Sequence, residues 1–109
     1  MGALIPLREC KDGNRNGMVG IVGQGYVMAN VLAGTVAEVV TVPTGAKKVI
    51  FSATGNFYAN FGAAGAIPAT EVTDGSGSLL NPEMREIDGA ATIGLIAPSD
   101  CVVVMEFFK

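Results

Sequence analysis

The fold is decided by Val39–Gly62, VVTVPTGAKKVIFSATGNFYANFG. It reads as three short strands joined by two tight turns. Val39 to Val42 is β-branched throughout, which suits a pleated, half-buried surface. Pro43-Thr44-Gly45 breaks the run. Lys47 to Ala53 forms the second strand, and Thr54-Gly55-Asn56 turns it into a third, Phe57 to Phe61. Side chains alternate across a strand, so Val49, Phe51 and Ala53 share one face against Lys48, Ile50 and Ser52. In the third strand Phe57, Ala59 and Phe61 lie opposite Tyr58 and Asn60. The face carrying the phenylalanines is the core face.

The same two-residue period continues outward. Thr92 to Ala97 puts Ile93 and Leu95 on one side. In the last strand, Cys101 to Phe108, Glu106 shares a side with Val102, Val104 and Phe108. The inward set is therefore Cys101, Val103, Met105 and Phe107. Met84 to Ile87 is a brief strand, Asp88-Gly89 a hairpin signal, and Thr35 to Val42 a strand leading into the central stretch. Tyr26 to Ala33 fits a strand or one and a half helical turns. Gly62 to Pro82 is a long connection, with Leu79 and Leu80 expected to anchor it to the body. Strands at this spacing, separated by turns, predict an all-β antiparallel sandwich or barrel.

Ahead of this body, Ala3 to Cys10 reads as a short apolar strand or arm, with Pro6 confined to an edge or extended position. Lys11 to Gly25 holds five glycines and two asparagines and reads as the least structured stretch. The division expected is an extended N-terminal arm and Gly-rich loop over 1–25 and a β-sandwich domain over 26–109.

The 109 residues suffice for one domain, and half of them are hydrophobic. Only 16% are charged and the net charge is −3, which disfavours a nucleic-acid backbone as partner. No apolar run approaches the ~20 residues of a membrane helix, and Gly2 to Leu7 lacks the length and basic flank of a signal peptide. The chain is expected to be made and used without secretion. The low charged fraction also suits a surface partly covered by a partner.

No constellation of residues carries catalytic chemistry. The chain has no histidine, so Ser–His and Cys–His nucleophiles are excluded, and no CxxC pair suggests a metal. Cys10 and Cys101 read as buried thiols; a disulfide needs the terminal strands to be neighbours. Gly20 to Gly25 (GIVGQG) lacks the GxGxxG spacing of a phosphate loop. Glu71 and Asp74 around the DGSGS segment lack the alternating acidic ligands of a calcium loop. Glu83, Glu86 and Asp88 read as solvated charges between strands. Phe57, Tyr58 and Phe61 have no basic neighbours for base stacking. Tyr58, opposite the two phenylalanines, is an interface anchor.

The pattern V-x-V-P-x-G-A (Val40 to Ala46), then V-x-F-S-A-T-G-x-F-Y (Val49 to Tyr58), an IPA–VTDGSGS–LNP loop (Ile67 to Pro82) and G-L-I-A-P-x-x-C-V-V (Gly94 to Val103) resembles small virion structural proteins of tailed bacteriophages. The resemblance covers roughly residues 39 to 108. It implies a jelly-roll-like sandwich on the phage head, made in the host bacterial cytoplasm, as a capsid decoration or cement protein. Its implied partners are its own copies, as a homotrimer, and the major capsid protein. It implies no cofactor, membrane, nucleic acid or small-molecule substrate, and no catalytic residue to carry over. Leu4, Ile5, Leu7, Tyr26 and Tyr58 are the expected interface residues. The alternative is a tail- or fibre-associated module that binds a host glycan or receptor through loop 62–82, with Tyr58 and Asp74 as test positions.

Overall fold

The computed structural model describes residues 7–10, 18–21, 25–87 and 89–109. Every regular element among them is a strand. Two antiparallel sheets of four strands carry the body. Sheet 1 is built from β3 (Tyr26–Leu32), β5 (Lys48–Ala53), β8 (Met84–Glu86) and β10 (Cys101–Phe108), in the order β3-β10-β5-β8. Sheet 2 is built from β4 (Glu38–Thr41), β6 (Tyr58–Phe61), β7 (Leu79–Leu80) and β9 (Thr92–Ile96), in the order β4-β9-β6-β7. β1 (Leu7–Cys10) and β2 (Met18–Ile21) pair only with each other, Leu7 opposite Ile21 and Cys10 opposite Met18.

The central stretch does contain three strands, but they do not form a hairpin series. β4 and β6 lie in sheet 2 and β5 in sheet 1, so each tight turn carries the chain from one sheet to the other. The first closes with Ala46 N–H donating to the Pro43 carbonyl at 3.0 Å, with Gly45 at φ 88°. A positive φ at the third residue of a β-turn is the position glycine takes at no steric cost. Beside it runs the crossing from β8 to β9. The Ile87 amide donates to the Lys47 carbonyl, and the Val42 amide to the Ala91 carbonyl. The strands flanking Gly89 therefore lie in different sheets, so no hairpin joins them; Asp88 lies outside the described residues.

The remaining crossings are tied in the same pairwise way. The β3–β4 and β9–β10 connections meet where Thr35 N–H donates to the Ala97 carbonyl (2.7 Å) and Gly34 N–H to Asp100 Oδ1 (2.7 Å). The β5–β6 and β7–β8 connections meet at Asn81. Its amide donates to the Phe57 carbonyl, its Oδ1 accepts from Phe57 N–H, and its Nδ2 donates to Asn56 Oδ1. Backbone groups leaving a sheet must find new partners, and here each crossing supplies them to its neighbour.

The inward faces of both sheets meet in one cluster. Sheet 1 contributes Leu32, Val49, Phe51, Val103, Met105 and Phe107; sheet 2 contributes Val40, Ala59, Ile93 and Leu95. Phe51 bridges the two layers, its ring 5.7 Å from that of Phe57 and 6.2 Å, nearly perpendicular, from that of Phe61. The alternation in β10 comes out as expected as far as Phe107, with Cys101, Val103, Met105 and Phe107 all buried; Phe108, read as outward, is buried as well, because Gly25 packs over its ring.

Four expectations change. Thr35 to Val42 is a strand only from Glu38, because Thr35 sits at φ 62° in a turn. Tyr26 to Ala33 is a strand through Leu32. Met18–Ile21, inside the stretch read as a loop, forms a strand opposite Leu7–Cys10, since glycine-rich composition does not prevent a hairpin return. Leu79 and Leu80 do pair with β6, but their side chains are exposed: backbone ladder bonds hold this edge rather than apolar burial.

Candidate interaction surface

The outer faces of the two sheets differ, and the difference singles out one surface. The outer face of sheet 2 is covered by the chain itself over β9, while Val39 and Leu80 on its flanking strands stay exposed. Asn60 and Gly94 are opposite one another there, and a Cβ on Gly94 would stand 2.3 Å from the Ala63 carbonyl oxygen and 2.4 Å from the Gly65 nitrogen. Residues 63–65 thus lie directly on β9, and Ile96 beside them is buried outside the central cluster. The rest of the loop is held by Ala66 N–H donating to Ser78 Oγ at 3.1 Å and Gly62 N–H to the Thr92 carbonyl at 2.8 Å.

Among the described residues, the outer face of sheet 1 has no such cover over its middle. Register places Val31 beside Val102, Ala29 beside Val104 and Ser52, and Val27 beside Glu106, Ile50 and Met84. Val31 is 75% exposed, Met84 48% and Val27 37%. This is a contiguous apolar strip across four strands, of the kind that marks an interaction site rather than scattered surface residues. A cleft of about 360 Å³ opens at one end, lined by Val31, Leu32, Asp100 and Val102 among others. Glu106 is the one carboxylate in the middle rows, and its Oε2 accepts from Gly25 N–H at 2.7 Å. Gly25 packs so closely over Phe108 that a Cβ would sit 2.9 Å from the ring.

The expected interface residues are placed unequally. Leu4 and Ile5 lie outside the described residues. Leu7 opens β1. Tyr26 turns toward the core, edge-on to Phe107 with ring centroids 6.5 Å apart. Tyr58 is half-buried on the outer face of sheet 2, in line with Leu80 and Ile96. The structure thus brings neither tyrosine to the exposed strip. Sequence reading missed Val27, Val31, Ile50, Val102, Val104 and Met84 because an apolar outward residue looks the same as a core residue until the second layer is placed. The signal available was the apolar run Cys101–Met105 in β10, broken only at Glu106, which is what a strand with little solvated face shows.

Asp74 and Cys101 carry the resolved acid–base shifts. Asp74 Oδ1 accepts from Ser76 Oγ (2.6 Å) and Ser76 N–H (3.0 Å), and these bonds hold its carboxyl below the usual aspartate range. The segment is therefore a closed side-chain turn. Burial, reinforced by neighbouring Asp100, pushes the Cys101 thiol up, which keeps it protonated and unreactive. Cys101 is a free thiol. Among the described residues no three potential metal ligands cluster, and no helix is long and apolar enough to cross a membrane. Comparisons with family models, curated proteins and solved structures found no match to this chain.

Proposed function

We propose that this chain is a non-enzymatic virion structural protein of a tailed bacteriophage, a decoration or cement protein that strengthens the head by contacts with the capsid lattice. The observation that carries the reading is the apolar strip on sheet 1 left uncovered among the described residues, on a body whose other outer face is closed over β9 by its own loop. The strand order supports it. Counting β3 to β10 as eight successive strands, first, eighth, third and sixth make one sheet and second, seventh, fourth and fifth the other. We read this order as supporting a jelly-roll sandwich, an architecture used by viral capsid domains. The hairpin β1–β2 adds to the same reading. An isolated two-stranded ribbon is marginally stable in water, so it acts as an arm that orders against a neighbour. Many copies on a lattice turn weak single contacts into firm attachment.

The test is co-sedimentation with emptied phage heads. The wild-type chain pellets with the particles, and Val31→Lys, which places a charge on the strip without touching the core, does not. Heads that bind both forms equally, or neither, refute the proposal.

A second reading follows from the jelly roll's use in lectins: a tail or fibre module that holds a host glycan. Loop 62–78 encloses a cavity of about 440 Å³ with Thr70, Glu71, Ser76 and Ser78 on its wall. A glycan array with hits lost on Glu71→Gln or Asp74→Ala would favour this reading over the lattice one.

A further inference from the structure

We infer that the free edge of β3 pairs with the same strand of a second copy, joining two sheets 1 across a two-fold axis at Asn30. The inference is independent of whether the chain is part of a particle. It starts from the four edges of the two body sheets. β7 has two residues and runs into Asn81-Pro82; β8 has three, two of them Arg85 and Glu86; β4 has four, begins at Glu38 and is followed by Pro43. Short length, charge and proline are the devices that keep an edge from pairing. β3, YVMANVL, has seven residues, no charge, no proline and no glycine.

The direction of its free groups follows from register. The Thr54 amide donates to the Val102 carbonyl, and the Phe51 amide to the Glu83 carbonyl. Even-numbered residues of β10 therefore bond β5, and odd-numbered ones bond β3. Since Val103 opposes Asn30 and Met105 opposes Met28, the even residues of β3 are spent on β10. Val27, Ala29 and Val31 are left with N–H and C=O directed out of the sheet.

Asn30 decides the occupant and the register. It lies on the core side of this edge strand, between Met28 and Leu32, and among the described residues its Oδ1 is the one buried side-chain oxygen without a partner. A two-fold at Asn30 sets Ala29 opposite Val31 of the copy and Asn30 opposite Asn30 as a narrow, non-hydrogen-bonded pair, where side chains are closest. Each amide then donates Nδ2–H to the other's Oδ1. A two-fold sets every residue against its own kind or its mate, so a charged edge would repel itself; this one carries none. Neither the other three body edges nor the four-residue strands β1 and β2 offer β3 a partner of matching length, so the self-complementary partner is another β3. The assembly is a dimer, which replaces the trimer implied by the family resemblance.

Light scattering of the full chain after size exclusion is the first measurement, and it should return two chains per particle. Hydrogen exchange on the wild-type protein is the second. The Ala29 and Val31 amides should slow at least about tenfold as concentration rises through the dissociation constant, and the Asn30 side-chain amide should follow them. Ala29→Pro removes an outward N–H that the monomer does not use, a position where edge strands tolerate proline; it should give a folded monomer. A wild-type monomer or trimer, or a dimer in which those two backbone amides exchange freely, overturns the inference. An Asn30 amide that stays fast while the backbone slows overturns the two-fold at Asn30. If Ala29→Pro fails to fold, the exchange data on the unaltered chain decide alone.

Discussion

Gly94→Ala is the sharpest probe of the covered face of sheet 2. The added methyl would stand 2.3 Å from the Ala63 carbonyl oxygen, 2.4 Å from the Gly65 nitrogen and 2.8 Å from the Ala64 carbonyl carbon. All three are backbone atoms, so no side chain can swing aside. Non-bonded carbon and oxygen need about 3.3 Å, so the loop must rise by roughly 1 Å over β9. It cannot do so freely, because Gly62 N–H is bound to the Thr92 carbonyl and Ala66 N–H to Ser78 Oγ. Overpacking of this kind costs about 1–3 kcal/mol, and the upper half of that range applies because two tethers resist. Urea unfolding followed by circular dichroism reads it. With a slope of about 1–3 kcal/mol/M, the midpoint should fall by roughly 1 M at unchanged slope. Gly77→Ala is the matched control. Its Cβ would meet only Val72 Cγ1 at 3.8 Å, so it should be neutral or more stable by about 0.4–1 kcal/mol, through the unfolded chain. Should both alanines behave alike, the loop does not lie on β9 and the closed outer face is wrong.

Four other outcomes follow from named contacts. Phe51→Ala removes the ring that joins the layers through Phe57 and Phe61 and should cost about 3–5 kcal/mol in thermal or urea unfolding. Glu106→Gln keeps the shape but removes the charge from the bond to Gly25 N–H; the part-exposed site makes the expected loss about 1 kcal/mol, below the range of about 1.5–3 kcal/mol for charged acceptors. Ser76→Ala should raise the Asp74 titration midpoint toward the ordinary aspartate value by carbon-detected NMR, since the hydroxyl is the larger cause of its depression. Because the folded thiol of Cys101 is pushed up, the unfolded chain releases that proton first as pH rises. Stability should therefore be intact below the ordinary thiol range and decline above it, a decline that Cys101→Ala abolishes in pH-dependent urea unfolding.

The hairpin-like punctuation of the central stretch shows where sequence reading stopped. Pro43-Thr44-Gly45 and Thr54-Gly55-Asn56 mark turns correctly, but a turn states that the chain reverses, not which strand it reverses onto. The partners of β4 and β5 lie toward the end of the chain, in β8, β9 and β10, and no local pattern names a partner that distant. Leu79 and Leu80 show a second limit. Two adjacent leucines on an edge strand must point to opposite faces, so they could not both be inward anchors.

The amino-acid order by itself determined that the protein is all-β, where most strands run, and which side of β5, β6, β9 and most of β10 faces inward. Side-chain alternation is a property of a single strand and needs no neighbour to express it, as Val49 with Phe51 and Val103 with Met105 and Phe107 show. Tertiary structure alone decided which outward faces stay wet. Ile96 and Val31 are both apolar and outward, yet one is buried, two residues along β9 from the Gly94 that residues 63–65 cover, and the other is open. The physical reason is that burial depends on what a second, distant segment places above a strand, and only the closed chain brings that segment there.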